Sequence, residues 1–298
     1  MANNRSNPLP FLIVVALILW CGLYFLKNPE LIDSFYSAKA KKQSSAQAIH
    51  PPAPTENRLG KSLAKLGKTP FPPVFRPDEP QAAIILDDFG YDINSLERVR
   101  ELYVPVTISV LPNLKASRQT ADLARAAGLE VMLHLPMSPK EKRRLEKETL
   151  SSGMSADAIR QQIEKNLSSV GPVSGVNNHM GSLATADPEL MKEILSNLKG
   201  KNLFFVDSVT IPNSVAFKTA REMGIDAARR DVFLDNESDL KYIKGQVREL
   251  IQKALKNGRA IGIGHDRPET ITAIKEMLPE FEEAGVSLVP VSRLVKYY

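Results

Sequence analysis

From residue 81 onward, short apolar runs alternate with longer amphipathic ones. The short runs cover residues 82–86, 104–110, 129–134, 173–178, 203–207, 225–228, 259–265 and 286–290. The first of them, Ala82-Ala83-Ile84-Ile85-Leu86, is apolar at every position and so needs cover on both faces, as in a parallel sheet. Between the runs, apolar residues recur at helical spacing. Helices are predicted over 93–102, over 115–127 with Gly128 closing, from the Ser155 cap with Ile159, Ile163 and Leu167 on one face, and over 215–223. Asp187-Pro188 opens a further helix to Lys199, residues 239–257 carry Ile243, Val247, Leu250, Ile251 and Leu255, and Pro268 opens the last. Residues 138–153 are polar and unpatterned, a long loop of the kind that often carries function.

Some eight strands alternating with seven helices over about 220 residues argue for an α/β barrel or a doubly wound sheet. Neither G-x-G-x-x-G after the first strand nor G-x-x-x-x-G-K-[ST] is present, which weighs against nucleotide binding. Polar residues tip the balance toward a barrel. Asp88, His134, His179, Asp207 and His265 each sit at or just after the end of a different run, and in a barrel those ends converge on one mouth. The pair Asp87-Asp88 closes the first strand. Successive strand residues point to opposite sides, so the two carboxylates are expected to do different work.

The first eighty residues read differently. A short tail, 1–10, precedes an unbroken apolar run, 11–26, slightly short for a spanning helix. It lacks a small-residue cleavage site, so it reads as an uncleaved signal anchor. Residues 27–80 are rich in Lys, Ser, Gln, Ala and Pro without apolar period and read as a disordered linker; His50 lies in it, and 59–66 is a weak helix. The globular domain is 81–298. Cys21 is the only cysteine, which suits an oxidising compartment. The net charge of +5 is mild, and the run Lys140-Glu141-Lys142-Arg143-Arg144 reads as a solvated loop. No interleaving of basic and aromatic residues points to nucleic acid.

Each histidine alone has an ordinary reading, an imidazole hydrogen-bonded to backbone. All three histidines of the domain at strand ends beside Asp87-Asp88 is a pattern with chemistry in it. One carboxylate and two imidazoles with open positions make a divalent-metal site. A second carboxylate nearby is placed to act as general base and a remaining histidine as general acid.

These residues resemble the motifs of the polysaccharide deacetylase (NodB-homology) superfamily, in its divergent YibQ-like branch. The resemblance covers 81–298. The T-F-D-D-G motif is similar to Ile85-Leu86-Asp87-Asp88-Phe89-Gly90, H-S-x-x-H to His134-Leu135-Pro136-Met137, and R-x-P-Y-G to Asn177-Asn178-His179-Met180-Gly181-Ser182. The fourth motif resembles Phe205-Val206-Asp207-Ser208 and the fifth Ile261-Gly262-Ile263-Gly264-His265-Asp266. The resemblance implies a distorted (β/α) barrel of about seven strands, with Asp87 as base, Asp88 and His134 as metal ligands and His265 as acid. The second histidine of H-S-x-x-H and the arginine of the third motif are absent, and His179 stands where it can supply the missing ligand. Asn178, Asp207, Asp231 and Asp235 are expected to bind substrate or orient the catalytic groups. Asp207 is expected to orient His265 or a substrate hydroxyl, whereas Asp231 and Asp235 line the mouth or cap the next helix. Phe89, Tyr91 and Phe233 are the aromatic candidates for stacking on sugar, with core packing the expected place of Phe233.

The implied activity is metal-dependent removal of acetyl groups from N-acetylated sugars of an envelope polysaccharide or peptidoglycan, with zinc the expected ion. The implied location is a bacterial inner membrane, spanned once, with the domain in the periplasm. Two alternatives stand beside it: a non-catalytic envelope binding or scaffold protein on the same fold, and a hydrolase of another bond, such as an O-acetyl ester or a peptide amide.

Overall fold

The computed structural model describes residues 79–298. The anchor run, most of the linker, the weak 59–66 helix, His50 and Cys21 lie outside them. Among the described residues, no helix is long and apolar enough to cross a membrane.

The apolar runs become β1 (Gln81–Phe89), β2 (Thr107–Val110), β3 (Glu130–Met137), β4 (Gly175–Met180), β5 (Phe204–Asp207), β6 (Ala227–Arg229), β7 (Val232–Phe233), β8 (Arg259–His265) and β9 (Ser287–Leu288). The amphipathic segments become α1 (Asn94–Arg100), α2 (Ser117–Ala126), α3 (Ala156–Val170), α4 (Pro188–Lys199), α5 (Ala216–Glu222), α6 (Leu240–Asn257) and α7 (Pro268–Glu283). The caps act as their chemistry requires. The Ser155 hydroxyl accepts from Ala158 N, the Asp187 carboxylate accepts from Glu189 N and Leu190 N, and Gly128 closes α2 at φ +78°. Strand β2 starts later than its apolar pattern, past Pro105, which has no N–H for a ladder. Strand β3 runs three residues past His134, because Leu150 folds back to bridge Met137 and exchanges backbone bonds with Pro136 and Ser138.

All strand pairings are parallel, in the order β6-β5-β4-β3-β2-β1-β8-β7, with β9 beside β1. The expected barrel is therefore a curled parallel sheet, a half-barrel opened at one seam. Its two edge strands, β6 and β7, are separated only by Arg230 and Asp231. Arg230 N donates to Asp207 O on β5, whereas Asp231 N donates to Ile261 O on β8, both at 2.9 Å. One interrupted strand thus spans the seam and joins the two edges through the chain itself. The two-residue β7 is too short for any periodic pattern to announce it.

Two apolar clusters lie on opposite faces of the sheet. Ala82, Ile84 and Leu86 of β1 pack with the helices, while Ala83 and Ile85 join Met132, Phe204, Val206, Ala228, Ile261 and Ile263 inside the curl. Val289, Val291, Leu294 and Val295 extend this inner cluster. Following the same alternation toward the C-terminal ends, the inward positions turn polar: Asp87 after Ile85, Ser109 after Thr107, His134 after Met132, Asn177 after Gly175, His265 after Ile263. The functional layer is the top layer of the barrel interior.

Gly175 leaves room for its neighbour in that interior. A Cβ there would stand 2.3 Å from the Phe204 ring. Substituting Gly175→Ala is expected to destabilise the domain by about 1–3 kcal/mol through overpacking. The check is a urea transition with a lowered midpoint at unchanged slope; an unmoved midpoint would mean the ring has space to shift.

Candidate metal centre and flanking acid–base groups

Strand β1 departs from regular pairing where its carboxylates lie. Leu86 pairs with Ile108 and Phe89 with Val110, so β1 carries one extra residue, a bulge. Asp88 sits in this bulge at φ +68°, a left-handed conformation that Asp tolerates better than most residues. The expectation that the two carboxylates point to opposite sides is overturned for this reason. Asp87 Oδ1 lies 3.6 Å from His134 Nδ1, and Asp88 Oδ1 lies 3.3 Å from His134 Nε2. Both carboxylates flank the same imidazole.

His179, from the end of β4, brings its Nδ1 to 3.1 Å from the same Asp88 Oδ1. The His134 and His179 rings meet edge to face at 4.8 Å between centroids. One ligand atom each from Asp88, His134 and His179 lies within 4.8 Å of the others. These three come from β1, β3 and β4, and they include two histidines the sequence placed at strand ends.

The hydrogen bonds fix what the nitrogens can do. Asn177 Nδ2 donates to Asp87 Oδ1 at 2.9 Å, which leaves Asn177 Oδ1 as an acceptor. That oxygen accepts from Ser109 Oγ at 2.5 Å and faces His134 Nδ1 at 2.9 Å. His134 therefore carries its proton on Nδ1, and in the neutral ring the Nε2 lone pair points at Asp88 Oδ1. Two lone pairs 3.3 Å apart repel unless a proton or a cation lies between them. Asp88 Oδ1 and His179 Nε2 are both buried without a hydrogen-bond partner. An oxygen and two imidazoles, one oriented by an amide behind it, are the donor set of a catalytic divalent-metal site, and the residues fit such an ion.

The charges show the same pull on a positive species between these groups, a proton where no cation is bound. Burial opposes ionisation of Asp88, but His134 and His179 outweigh it and hold the carboxyl well below its usual range. Burial opposes the charge on His134, yet Asp87 and Asp88 push its imidazole up to about 9. Asp87 goes the other way: its burial dominates and raises its pKa, against the pull of His134, His265 and the Asn177 amide. A carboxylate above its usual range is a better proton acceptor.

His265 stands on the other flank, with Nε2 3.8 Å from Asp88 Oδ2. Its Nδ1 lies 2.9 Å from Asp235 Oδ1. The fully buried Asp235 also accepts from His265 N at 2.8 Å and Thr270 Oγ1 at 2.7 Å. Burial opposes the charge on His265, but the Asp235 hydrogen bond and charge outweigh it and raise the imidazole above its ordinary value.

The remaining expected site residues lie elsewhere in the network. Asp207, expected to orient His265 or a substrate hydroxyl, instead holds the loop after β5. It accepts from Val209 N and Ser214 Oγ, and Asp235 takes the place beside His265. Asn178 points to the opposite face from Asn177, accepting from Ser208 N and donating to Met180 O. Asp231 does not cap the next helix; it accepts from Ile261 N and from the Tyr298 hydroxyl, and Asp239 caps α6. Of the aromatic candidates, Phe89 is in the core and Tyr91 is exposed on the loop after β1. Phe233, expected in the core, is half-buried and packs edge-on against the His265 ring at 5.6 Å.

Asn177 and Ser109 were not expected at the site. Strand parity would have found Asn177, since it is two residues from His179 and shares its face, whereas Asn178 does not.

Similarity to other proteins agrees with the geometry. A family model described as divergent polysaccharide deacetylase matches residues 84–295. The uncharacterized protein YibQ of Escherichia coli K12 is 37% identical over 213 residues, 72% of this chain and 66% of that protein. A peptidoglycan-N-acetylglucosamine deacetylase of Bacillus cereus is 26% identical over 136 residues, 40% of this chain and 61% of its own length. The crystal structure of an uncharacterized protein, ATU2773, from Agrobacterium tumefaciens C58 aligns at TM-score 0.70 and 22% identity, covering 74% of this chain and 92% of that one, a likeness of fold. With a match spanning β1 through the last turns of the domain, the chain belongs to the divergent polysaccharide deacetylase family.

Proposed function

We propose that this protein removes acetyl groups from N-acetylated sugars of an envelope glycan, using a divalent ion held by Asp88, His134 and His179. The observation that carries this reading is the pair of proton-transfer groups flanking that ligand set: buried Asp87 on one side, His265 backed by Asp235 on the other. When bound, the ion, with zinc expected, supplies Lewis-acid polarisation of the acetyl carbonyl and a lowered pKa for water.

The chain's own residues supply the rest. Asp87 accepts the proton of the attacking water, and Asn177 fixes the carboxylate through its Nδ2. Water's oxygen forms a bond to the acetyl carbon as the C–N bond breaks. His265, with its Nδ1 proton held by Asp235, donates from Nε2 to the departing amine. The products are acetate and a free amino sugar. Asn177 also holds His134 in the tautomer that leaves Nε2 free as a ligand.

In this reading residues 11–26 hold the domain at a bacterial inner membrane and the linker extends it into the periplasm. The apolar run and the Pro-rich stretch after it support that arrangement.

Asp87→Asn keeps the shape and loses the base. Acetate release from N-acetylglucosamine oligomers is expected to fall by about 10²–10⁴-fold, with metal content unchanged. Equal acetate release by the variant would remove Asp87 from the chemistry. No release by either protein, on glycans and muropeptides alike, would favour the binding or scaffold alternative.

The alkaline side of the pH profile is set by His265, which must be protonated to act as an acid. Asp235 raises it above its ordinary value of 6.5, so activity persists to higher pH and is lost as pH rises through that raised pKa. Removing the charge with Asp235→Asn is expected to move the alkaline limb to lower pH and leave the acid limb in place. A pH–rate series on both proteins decides it; an unmoved alkaline limb would mean another group donates the proton.

A further inference from the structure

The seam of the barrel carries a cation the mechanism does not use. Arg230, between β6 and β7, is half-buried and has no ion-pair partner among the described residues. Its Nε donates to Ser208 O at 2.7 Å and its Nη2 to Val209 O at 2.8 Å. Both carbonyls belong to the loop at the C-terminal end of β5, on the mouth side, and Val209 is held there at φ +50°, which a β-branched residue rarely adopts. The guanidinium lies over the Phe233 ring at 4.7 Å, and that ring meets His265. Ser208 Oγ in turn lies 3.4 Å from Asn177 Nδ2, the amide that holds Asp87. Arg230 is therefore linked to both proton-transfer groups, through Phe233 to His265 and through Ser208 and Asn177 to Asp87.

Its hydrogen bonds leave a defined edge. The Nε–Nη2 side of the fork is taken by two carbonyls, so the plane of the guanidinium is fixed. The Nη1–Nη2 end keeps parallel N–H groups with no partner among the described residues. A planar pair of free donors on a fixed, stacked cation is the geometry that binds a carboxylate in bidentate fashion.

The loop after β3 points the same way. Its acids are engaged within the domain: Glu141 accepts from Ser182, Glu146 from Tyr91, and Glu148 from Lys165. Its cations, Lys140, Lys142, Arg143, Arg144 and Lys147, are exposed and unpaired among the described residues. The loop is pinned to Tyr91 after β1 and to Ser182 after β4, so these charges sit beside the mouth. A basic rim of this kind draws in a polyanion.

We propose that Arg230 is a carboxylate-binding subsite of the mouth, and that the glycan taken there carries an acidic sugar next to the acetamido sugar. The position of the acetamido sugar rests on the deacetylase reading; the carboxylate subsite does not.

The test is binding, measured by titration calorimetry on the full chain in detergent, metal-loaded, with Asp87→Asn to prevent turnover. Two series of oligosaccharides are used. In one, N-acetylglucosamine alternates with N-acetylmuramic acid, whose carboxylate is on a lactyl ether. In the other it alternates with glucuronate, whose carboxylate is on the ring. Each is paired with its carboxyl-amidated form. In at least one series the carboxylate form is expected to bind about tenfold more tightly than the amide, the range of one charge-assisted pair, and the series that shows it identifies the acidic sugar. Arg230→Gln is expected to bring that ratio to about one while the amide's affinity holds. If Arg230→Gln does not fold, Arg230→Lys keeps the charge, loses the fork, and is expected to reduce the ratio.

No preference in either series overturns the proposal. So does a preference unchanged in the variant, or both affinities falling together, which would leave Arg230 as a clamp on the Ser208–Val209 loop. Acetate release by the Asp87-containing protein, run in parallel, separates the two readings. Carboxylate preference without hydrolysis sinks the deacetylase reading alone, and hydrolysis without preference sinks the subsite alone.

Discussion

A strand shows the inside of a barrel only every second side chain, and this site is built on that restriction and on one breach of it. The inward positions of β1, β3, β4 and β8 are apolar below and polar above, so Asp87, His134, Asn177 and His265 form one layer over the inner apolar cluster. A regular strand would have sent Asp88 to the helix side. The β1 bulge and the left-handed backbone at Asp88 turn it back, and the layer gains a second carboxylate. Without that turn, His134 and His179 would face no common oxygen.

Close packing of so many ionisable groups in a buried layer needs an arrangement of protons that satisfies each of them. Asn177 sets much of it. As a neutral amide with a donor end and an acceptor end, it assigns opposite roles to its neighbours: Asp87 receives a hydrogen bond, and His134 must give one. Asp235 does the equivalent for His265 on the far flank. The one interaction left unresolved by hydrogen bonding is between Asp88 Oδ1 and the two imidazoles, which is where a cation satisfies all three. Arg230 is fixed by two backbone carbonyls, which leave its Nη1–Nη2 end without a hydrogen-bond partner among the described residues.

Much of this was legible in the sequence, and the reasons differ by residue. Asp87-Asp88 and the histidines were visible because strand-end acids and imidazoles are few in an otherwise apolar pattern. The helix caps at Ser155 and Asp187 were visible because capping is local chemistry. Asn177 was hidden by its neighbour Asn178, although parity with His179 distinguishes them. Asp235 was read as lining the mouth or capping the next helix, and its pairing with His265 depends on β7, two residues long and below any periodic signal. The same short strand concealed the seam, where the barrel opens and Arg230 enters. The bulge was hidden because a register shift belongs to a pair of strands and not to either one alone.

The central claim is that Asp88, His134 and His179 together hold a divalent ion. Metal content of the purified full chain after reconstitution with zinc, measured by elemental analysis beside His179→Ala, tests it most directly. The account predicts about one zinc per chain, lost in the variant while the fold remains intact by circular dichroism. Full occupancy in His179→Ala, or no metal in the unaltered and folded protein, would contradict it.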